Sequence, residues 1–211
     1  MSIQSWSAFY PDILLFVPNC PEFLVDRFLR KAAIDISSKS KRLKFDMDPF
    51  DTEAGVATYD LYPDASTETL MILDGSIDGE PLEPVRRDEL ARRTGWSSES
   101  GKPSKYLMGP DDETVRLWPT PDAVFSVSLT LALNPTQTST GIESWFATRY
   151  RDGIISGALA SLLALPKQVW SDAGLALFHS NKFQAEIRTA CAESDKDGTR
   201  APLRTAIYNR A

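Results

Sequence analysis

The sequence contains one histidine, two cysteines and no apolar run long enough to cross a bilayer. A single histidine excludes metal sites built from several histidines and leaves only His179 for a histidine-based triad. Its place in a helical pattern favours a packed structural residue. Cys20 and Cys191 could pair, but two cysteines do not imply a disulfide framework, which favours a reducing compartment. The N-terminus lacks the basic flank and apolar segment of a signal peptide.

Basic charge is also scarce. The chain has 23 lysines and arginines against 29 acidic residues, so its net charge is −6 and its pI is near 4.9. This balance argues against a protein that holds nucleic acid by broad electrostatic attraction. The sequence has no glycine-rich phosphate loop and no Gly-x-Ser-x-Gly nucleophile elbow. These absences leave a globular protein without a recognisable catalytic motif, and no cofactor is expected.

Apolar residues at intervals of three and four predict three helices, at about residues 21–37, 142–165 and 167–191. The last two helices form a predicted αα-hairpin that breaks at Pro166, because proline cannot extend a helix but suits the first turn of the next one. Gly153 and Gly157 each cost about 1 kcal/mol inside a helix, which predicts that another backbone approaches closely there.

Residues 42–134 show short segments in which apolar and polar side chains alternate, a period of two that is typical of strands. Asp78 and Gly79 predict a tight turn, and residues 109–112 predict the turn of a hairpin. An aromatic segment over residues 1–18 is predicted to dock as an arm or an edge strand.

Because helices flank the strands in sequence, the predicted fold class is α+β. The N-terminal helix and the long C-terminal αα-hairpin would form a helical bundle, and residues 42–134 would form a small inserted antiparallel β-sheet. One domain is predicted over residues 1–192. Residues 193–211 have few apolar side chains, so they are predicted to form an extended C-terminal arm.

Two acidic segments could supply oxygen ligands to a cation. Asp46, Asp48 and Asp51 would suit a metal-dependent hydrolase, although carboxylates in strands and loops are more often solvated. Residues 74–79 match the start of a calcium loop, but Val85 occupies the position that needs a bidentate glutamate. A turn between strands is therefore favoured for residues 74–79.

Aromatic and arginine side chains cluster near the start of the second predicted helix. Trp145 and Tyr150 are either core residues or, together with Arg149 and Arg151, the anchors of a subunit interface. The polar C-terminal arm is either a tail or a segment that orders on a partner. Its candidate contact residues are Arg200, Arg204, Tyr208 and Arg210.

An ordered set of segments, spanning about residues 20–190, resembles the head-to-tail adaptor proteins of tailed bacteriophages. This family includes the tail tubular protein A of short-tailed phages. The segments are the helix at 23–36, GVATYDLYP at 55–63, DGEPL at 78–82, GKPSKY at 101–106, VRLWPTP at 115–121, YRDGIISGAL at 150–159 and LPKQVW at 165–170.

The resemblance implies a structural virion protein without catalytic activity. It implies a dodecameric ring that docks under the portal protein, joins the head to a tail or nozzle protein and continues the channel through which DNA passes without specific binding. The protein would lie at the head-tail junction, assemble in the host cytoplasm and contact no membrane. The helical hairpin would form the ring body, and the C-terminal arm would reach the portal.

Three alternatives stay open at this point. The first is another component of the same neck, such as a stopper or a tail-completion protein. The second is the metal-dependent hydrolase with Asp46, Asp48 and Asp51. The third is a small-molecule binding module, which needs a defined pocket.

Overall fold

The computed structural model describes residues 2–196. Its helices are α1 (Tyr10–Ile13), α2 (Glu22–Ser40), α3 (Arg87–Ala91), α4 (Ser144–Arg149), α5 (Arg151–Leu163) and α6 (Ala173–Asp195). Its strands are β1 (Ile3–Ser5), β2 (Lys44–Asp46), β3 (Phe50–Asp51), β4 (Thr58–Asp60), β5 (Thr67–Ile77), β6 (Glu80–Pro81), β7 (Glu83–Pro84), β8 (Lys105–Met108), β9 (Thr114–Trp118), β10 (Ser126–Pro135) and β11 (Gly141–Glu143). Two 3₁₀ turns cover Trp6–Phe9 and Trp96–Ser98.

The described chain divides into two compact units. The helical unit comprises residues 2–42 and 137–196, and the sheet unit comprises residues 43–136. None of the helices within residues 2–196 is both long and apolar enough to span a bilayer.

Two sheets build the sheet unit. In the first, the strand order is β2-β10-β5-β6, and β3 also pairs with β10. In the second, the order is β4-β9-β8-β7, and β7 runs parallel to β8. The long strand β10 buries alternate residues Val127, Leu129 and Leu131, as the period of two in its sequence predicts.

Two tight turns of the sheet unit confirm their sequence signals. Asp78 and Gly79 join β5 to β6 with φ angles of 50° and 80°, the left-handed backbone that a two-residue hairpin requires. Residues 109–113 join β8 to β9 in the predicted antiparallel hairpin. Residues 74–79 therefore form the end of a strand and its turn.

Three helices, α2, α5 and α6, form the core of the helical unit. They approach most closely at Gly157, where a Cβ atom would lie 2.7 Å from the Ala32 Cβ and 2.8 Å from the Phe183 ring. Gly153 also faces the two neighbouring helices, with Ile36 and Glu186 at 3.2 Å from the Cβ position. The expectation that glycines in this helix permit close packing is confirmed.

The N-terminal segment of the helical unit forms a third sheet. Strand β1 pairs antiparallel with β11, immediately before α4. Trp6, the residue that follows β1, is buried, and its indole N–H donates to the Ser139 carbonyl at 2.9 Å. Gly141 permits the close approach of β1 and β11, because a Cβ there would lie 2.3 Å from the Gln4 carbonyl oxygen.

The predicted fold, a helical bundle with one small inserted antiparallel sheet, is wrong. The strands form three sheets, one of which contains a parallel pair. Strands β5 and β10, with 11 and 10 residues, give the inserted segment an extensive sheet of its own. The third sheet joins residues near 4 and 142, and local sequence patterns carry no information about such distant pairing.

The helix boundaries also differ from those predicted. The predicted helix at 142–165 is divided into β11, α4 and α5, with a break at Tyr150, whose φ and ψ are −109° and 22°. The predicted helix at 167–191 begins only at Ala173. Before it, the Ser171 hydroxyl bonds the Leu165 carbonyl and accepts from the Gln168 N–H, and such local bonds compete with helix formation.

We expect Gly157→Ala to destabilise the protein by about 1–3 kcal/mol, because an added methyl group meets Ala32 and Phe183 in a packed contact. The intrinsic gain of alanine in a helix, about 1 kcal/mol, offsets only part of this loss. Urea unfolding monitored by circular dichroism would measure the change.

The matched control is Gly174→Ala in the first turn of α6, where the nearest atom to a new Cβ is the Asp172 side chain at 3.4 Å. This variant should be neutral or more stable. Equal stability of the two variants would contradict the close helix contact at Gly157.

Candidate functional site

Four of the predicted interface residues lie where α4 meets α5, and they include both exposed and buried side chains. These residues are Trp145, Arg149, Tyr150 and Arg151. Trp145 is 43% exposed, and its indole N–H donates to the Glu143 carboxylate. The Arg149 side chain is 59% exposed. Tyr150, in contrast, is buried, as is its neighbour Phe146. The cluster therefore combines solvent-facing side chains with core residues.

A hydrogen-bond network connects this junction to the last turn of α6. Arg149 bonds one oxygen of the Glu193 carboxylate, and the Tyr150 hydroxyl donates to the other at 3.1 Å. The bond from Arg149 holds the pKa of Glu193 below its usual range, whereas burial raises the pKa of Tyr150. The network fixes the end of α6 beside the exposed Arg149.

Arg151 binds the N-terminal segment of the same chain, and we call this set of contacts the Arg151 clamp. Its guanidinium donates to the Asp12 carboxylate at 2.7 Å and to the Ala8 carbonyl at 2.9 Å. It also lies 4.8 Å from the centre of the Phe9 ring, within the range of a cation–π contact. Arg151 therefore joins the start of α5 to the segment around α1.

The other four predicted contact residues, Arg200, Arg204, Tyr208 and Arg210, lie outside the described residues. Within residues 2–196, the structure thus brings together Trp145 and Arg149 as exposed candidates for a partner contact.

The sequence analysis missed an aromatic patch, formed by Phe16, Phe178 and His179. Phe178 is 60% exposed and Phe16 is 44% exposed, and both rings pack edge-on against His179 at centre distances of 5.3 and 5.6 Å. The spacing of apolar residues along α6 could have identified this patch. The buried positions of α6 are 176, 179, 183, 187 and 190, and residues 177 and 178 fall outside this stripe.

His179 is a structural residue in this patch. It is only 7% exposed, and neither ring nitrogen has a hydrogen-bond partner among the described residues. Burial, together with the positive charge of Lys182, lowers its pKa.

The acidic segments do not assemble into a metal centre in the described part of the chain, where no three histidine, cysteine or acidic side chains are arranged so that they could hold a metal ion. The Asp46 carboxylate accepts a hydrogen bond from the Thr130 hydroxyl at 2.7 Å. Asp78 accepts from the Ser126 N–H at 3.0 Å, so it fixes its own turn. This geometry gives no support to a hydrolase that uses Asp46, Asp48 and Asp51.

A model of one protein family, described as the SU10 adaptor protein, matches residues 7–206. The match includes segments of both the helical unit and the sheet unit, so it does not rest on a single motif. None of the curated proteins compared with the chain matches it.

We expect Arg151→Ala to loosen the segment around α1. The ion pair with Asp12 is partly exposed, with 34% and 46% of the two side chains accessible, so a coupling of only about 1 kcal/mol is expected in a double-mutant cycle with Asp12→Ala. Hydrogen exchange at residues 8–13 should become faster.

The control for this cycle is the Arg86–Asp88 pair, whose side chains are 85% and 60% exposed. Its coupling should be below about 0.5 kcal/mol. Unchanged exchange at residues 8–13 in Arg151→Ala would show that the clamp does not hold this segment.

We also expect His179 to lower the free energy of unfolding as the pH decreases. Because its pKa is lowered in the folded protein, its contribution is complete above the unfolded pKa near 6.5 and decreases as pH falls toward the folded pKa. The free energy of unfolding should therefore decrease between pH 7.5 and pH 5.5. His179→Phe should lose less stability over this interval.

Phe178→Leu retains the histidine and should keep the wild-type pH dependence. If His179→Phe loses as much stability as the wild type over the same interval, another group is responsible.

Proposed function

Because the chain belongs to the SU10 adaptor protein family, a family of phage head-to-tail adaptors, we propose that it forms a ring that docks under the portal. The ring would join the capsid to the tail and continue the DNA channel. The observation that carries the proposal is the family match over residues 7–206.

Family membership confirms the resemblance drawn from the ordered segments. The protein is a phage structural adaptor, and its place is the virion neck. The dodecameric ring, the portal and the tail or nozzle protein are the finer parts of the proposal. The division into a domain at residues 1–192 and an arm at 193–211 also stays a prediction.

Ring formation requires each subunit to present two different faces to its neighbours. The helical unit has large apolar side chains in solvent that could serve as contacts. Trp145 is 43% exposed, while Leu177 and Phe178 are 63% and 60% exposed. Tryptophan and arginine are typical anchors of protein interfaces, so Trp145 and Arg149 are the proposed subunit contacts.

The proposed portal contact is the segment that follows α6, with Arg200, Arg204, Tyr208 and Arg210. Glu193 fixes the end of α6 through Arg149 and Tyr150, so the segment starts from a defined point of the helical unit. The segment from 198 onward contains arginines and no acidic residue, which suits an acidic partner surface.

The acidic balance of the chain is compatible with the proposed channel. A net charge of −6 disfavours strong attachment to DNA phosphates, so DNA could slide past the ring. A stopper or a tail-completion protein of the same neck is the alternative, and it would bind below an adaptor ring.

The test is cryo-electron microscopy of the protein mixed with portal rings of the same phage, with the protein alone as the control. A ring of density directly under the portal is expected. Binding only after another adaptor ring is added would favour the stopper or tail-completion alternative. Absence of binding in both mixtures would contradict a neck function.

Two variants examine the proposed contacts in the same mixtures. The chain ending at residue 196 should stay folded and fail to join the portal. Trp145→Glu should weaken ring formation at least tenfold, because it places a charge in an apolar contact. Val169→Glu, at a residue that is 97% exposed, is the matched control and should behave as the wild type. Normal portal binding by the shortened chain would remove the arm from the proposal.

A further inference from the structure

A cleft of about 830 Å³ lies in the sheet unit, and five of its fourteen lining residues are acidic. The acidic cleft is defined by Asp60, Glu68, Asp111, Asp112 and Glu113. Among residues 2–196, no lysine, arginine or histidine lines it. Asp111 fixes the β8–β9 turn through the Glu113 N–H and the Thr114 hydroxyl, and these bonds lower its pKa.

The acidic cleft contains hydrogen-bond acceptors that have no donor among the described residues. The carboxylates of Glu68, Asp112 and Glu113 accept no hydrogen bond from any described residue. Thr69 also lines the cleft and is 8% exposed, and its hydroxyl has no partner among the described residues. The three carboxylates without a partner therefore offer acceptor oxygens to a cationic occupant of the cleft.

The complementary group in the sheet unit is the arginine segment, residues 86–93, in which Arg86, Arg87, Arg92 and Arg93 outnumber Asp88 and Glu89. Arg86 pairs with Asp88 at 3.3 Å, so the other arginines are the available donors. Leu90 anchors it, since this side chain is 1% exposed and packs in the cluster with Trp118. Arg93 lies 5.0 Å from the centre of the Trp118 ring. Arg87 and Arg92 are exposed and form no side-chain hydrogen bond or ion pair with any described residue.

The two charged features lie at opposite ends of the β8–β9 hairpin. The turn at 109–113, which carries three of the acidic side chains, precedes Thr114 at one end of β9. Trp118, which packs with the arginine segment, lies at the other end. Four residue steps along β9 separate the ends by about 13 Å. No ion pair joins the arginine segment to the acidic cleft of the same chain within residues 2–196.

We propose that the acidic cleft of one subunit receives the arginine segment of the next copy of this chain. Guanidinium groups donate up to five hydrogen bonds and match carboxylate geometry, while the cleft offers carboxylates as acceptors. Because the two features occupy different ends of one rigid hairpin, their contact is head-to-tail, and such a contact closes into a ring when the rotation between copies permits. The inference rests on the proposed ring and identifies one of its contacts.

Charge complementarity within one polypeptide favours a second copy as the occupant. Both partners belong to the sheet unit, so every copy carries one donor segment and one acceptor cleft. The arginines of the C-terminal segment from residue 198 onward are the competing occupant, and the experiment separates the two.

The experiment is a charge exchange in the full-length chain, with assembly measured by mass photometry on portal rings. R87E/R92E reverses the donor, and E68R/E113R reverses the acceptor without disturbing the Asp111 turn. Each variant should associate about a hundredfold more weakly than the wild type, because each reversal removes an attraction and adds a repulsion between like charges, about tenfold per position. The combined four-residue variant should recover to within about tenfold of the wild type.

The controls carry the same charge changes at exposed sites outside both features. R27E/K39E in α2 matches the donor variant, and E53R/D122R in the sheet unit matches the acceptor variant. Both should assemble as the wild type does, and circular dichroism confirms that each variant is folded. An equimolar mixture of the two reversed variants should also assemble.

The remaining outcomes overturn the inference in distinguishable ways. If the reversed variants assemble like the wild type, this contact is absent while the ring stands. If neither the combined variant nor the mixture recovers, the arginine segment is not the partner of the cleft. Recovery of assembly when R200E/R204E is combined with E68R/E113R would then assign the cleft to the C-terminal segment. If the wild type forms no ring, the proposed function itself fails.

Discussion

The contact of α5 with α2 and α6 at Gly157 determines the geometry of the helical unit. A Cβ on this residue would lie 2.7 Å from the Ala32 Cβ, so only glycine permits the observed separation. Close packing here aligns the buried stripe of α6 with α5 and brings Glu193 to Arg149 and Tyr150. The placement of the proposed interface residues follows from a helix contact that lies some distance away in the sequence.

Local features of this fold could be predicted because their causes are local. The φ angles at Asp78 and Gly79 follow from the residue types that a tight turn tolerates, and the period of two in β10 follows from its pleat. The pairing of β1 with β11 could not be predicted, because it joins segments about 140 residues apart. The loop before Ala173 was predicted to be part of a helix, because the apolar spacing at Val169 favours one. Hydrogen bonds of the Ser171 hydroxyl stabilise the loop instead.

The candidate site shows a similar division. The sequence identified the residue types of an interface at Trp145, Arg149, Tyr150 and Arg151, but side-chain type does not determine which side of a helix is covered. The structure places Tyr150 in the core and uses Arg151 to hold Asp12, because both face segments that return from elsewhere in the chain. Phe178 is apolar and lies in a helix, yet it falls outside the buried stripe.

Assembly of an acidic protein into a ring faces an electrostatic difficulty. Each copy carries a net charge of −6, so long-range forces between copies are repulsive. At physiological ionic strength these forces decay over about 8 Å, and short-range complementarity then decides the outcome. In the proposed ring, an arginine segment and an acidic cleft at different ends of one hairpin would convert this repulsion into a directional contact. Because single exposed ion pairs contribute only about 0–1 kcal/mol, such a contact would select the register of the proposed ring, while apolar surface such as that around Trp145 would supply most of its stability.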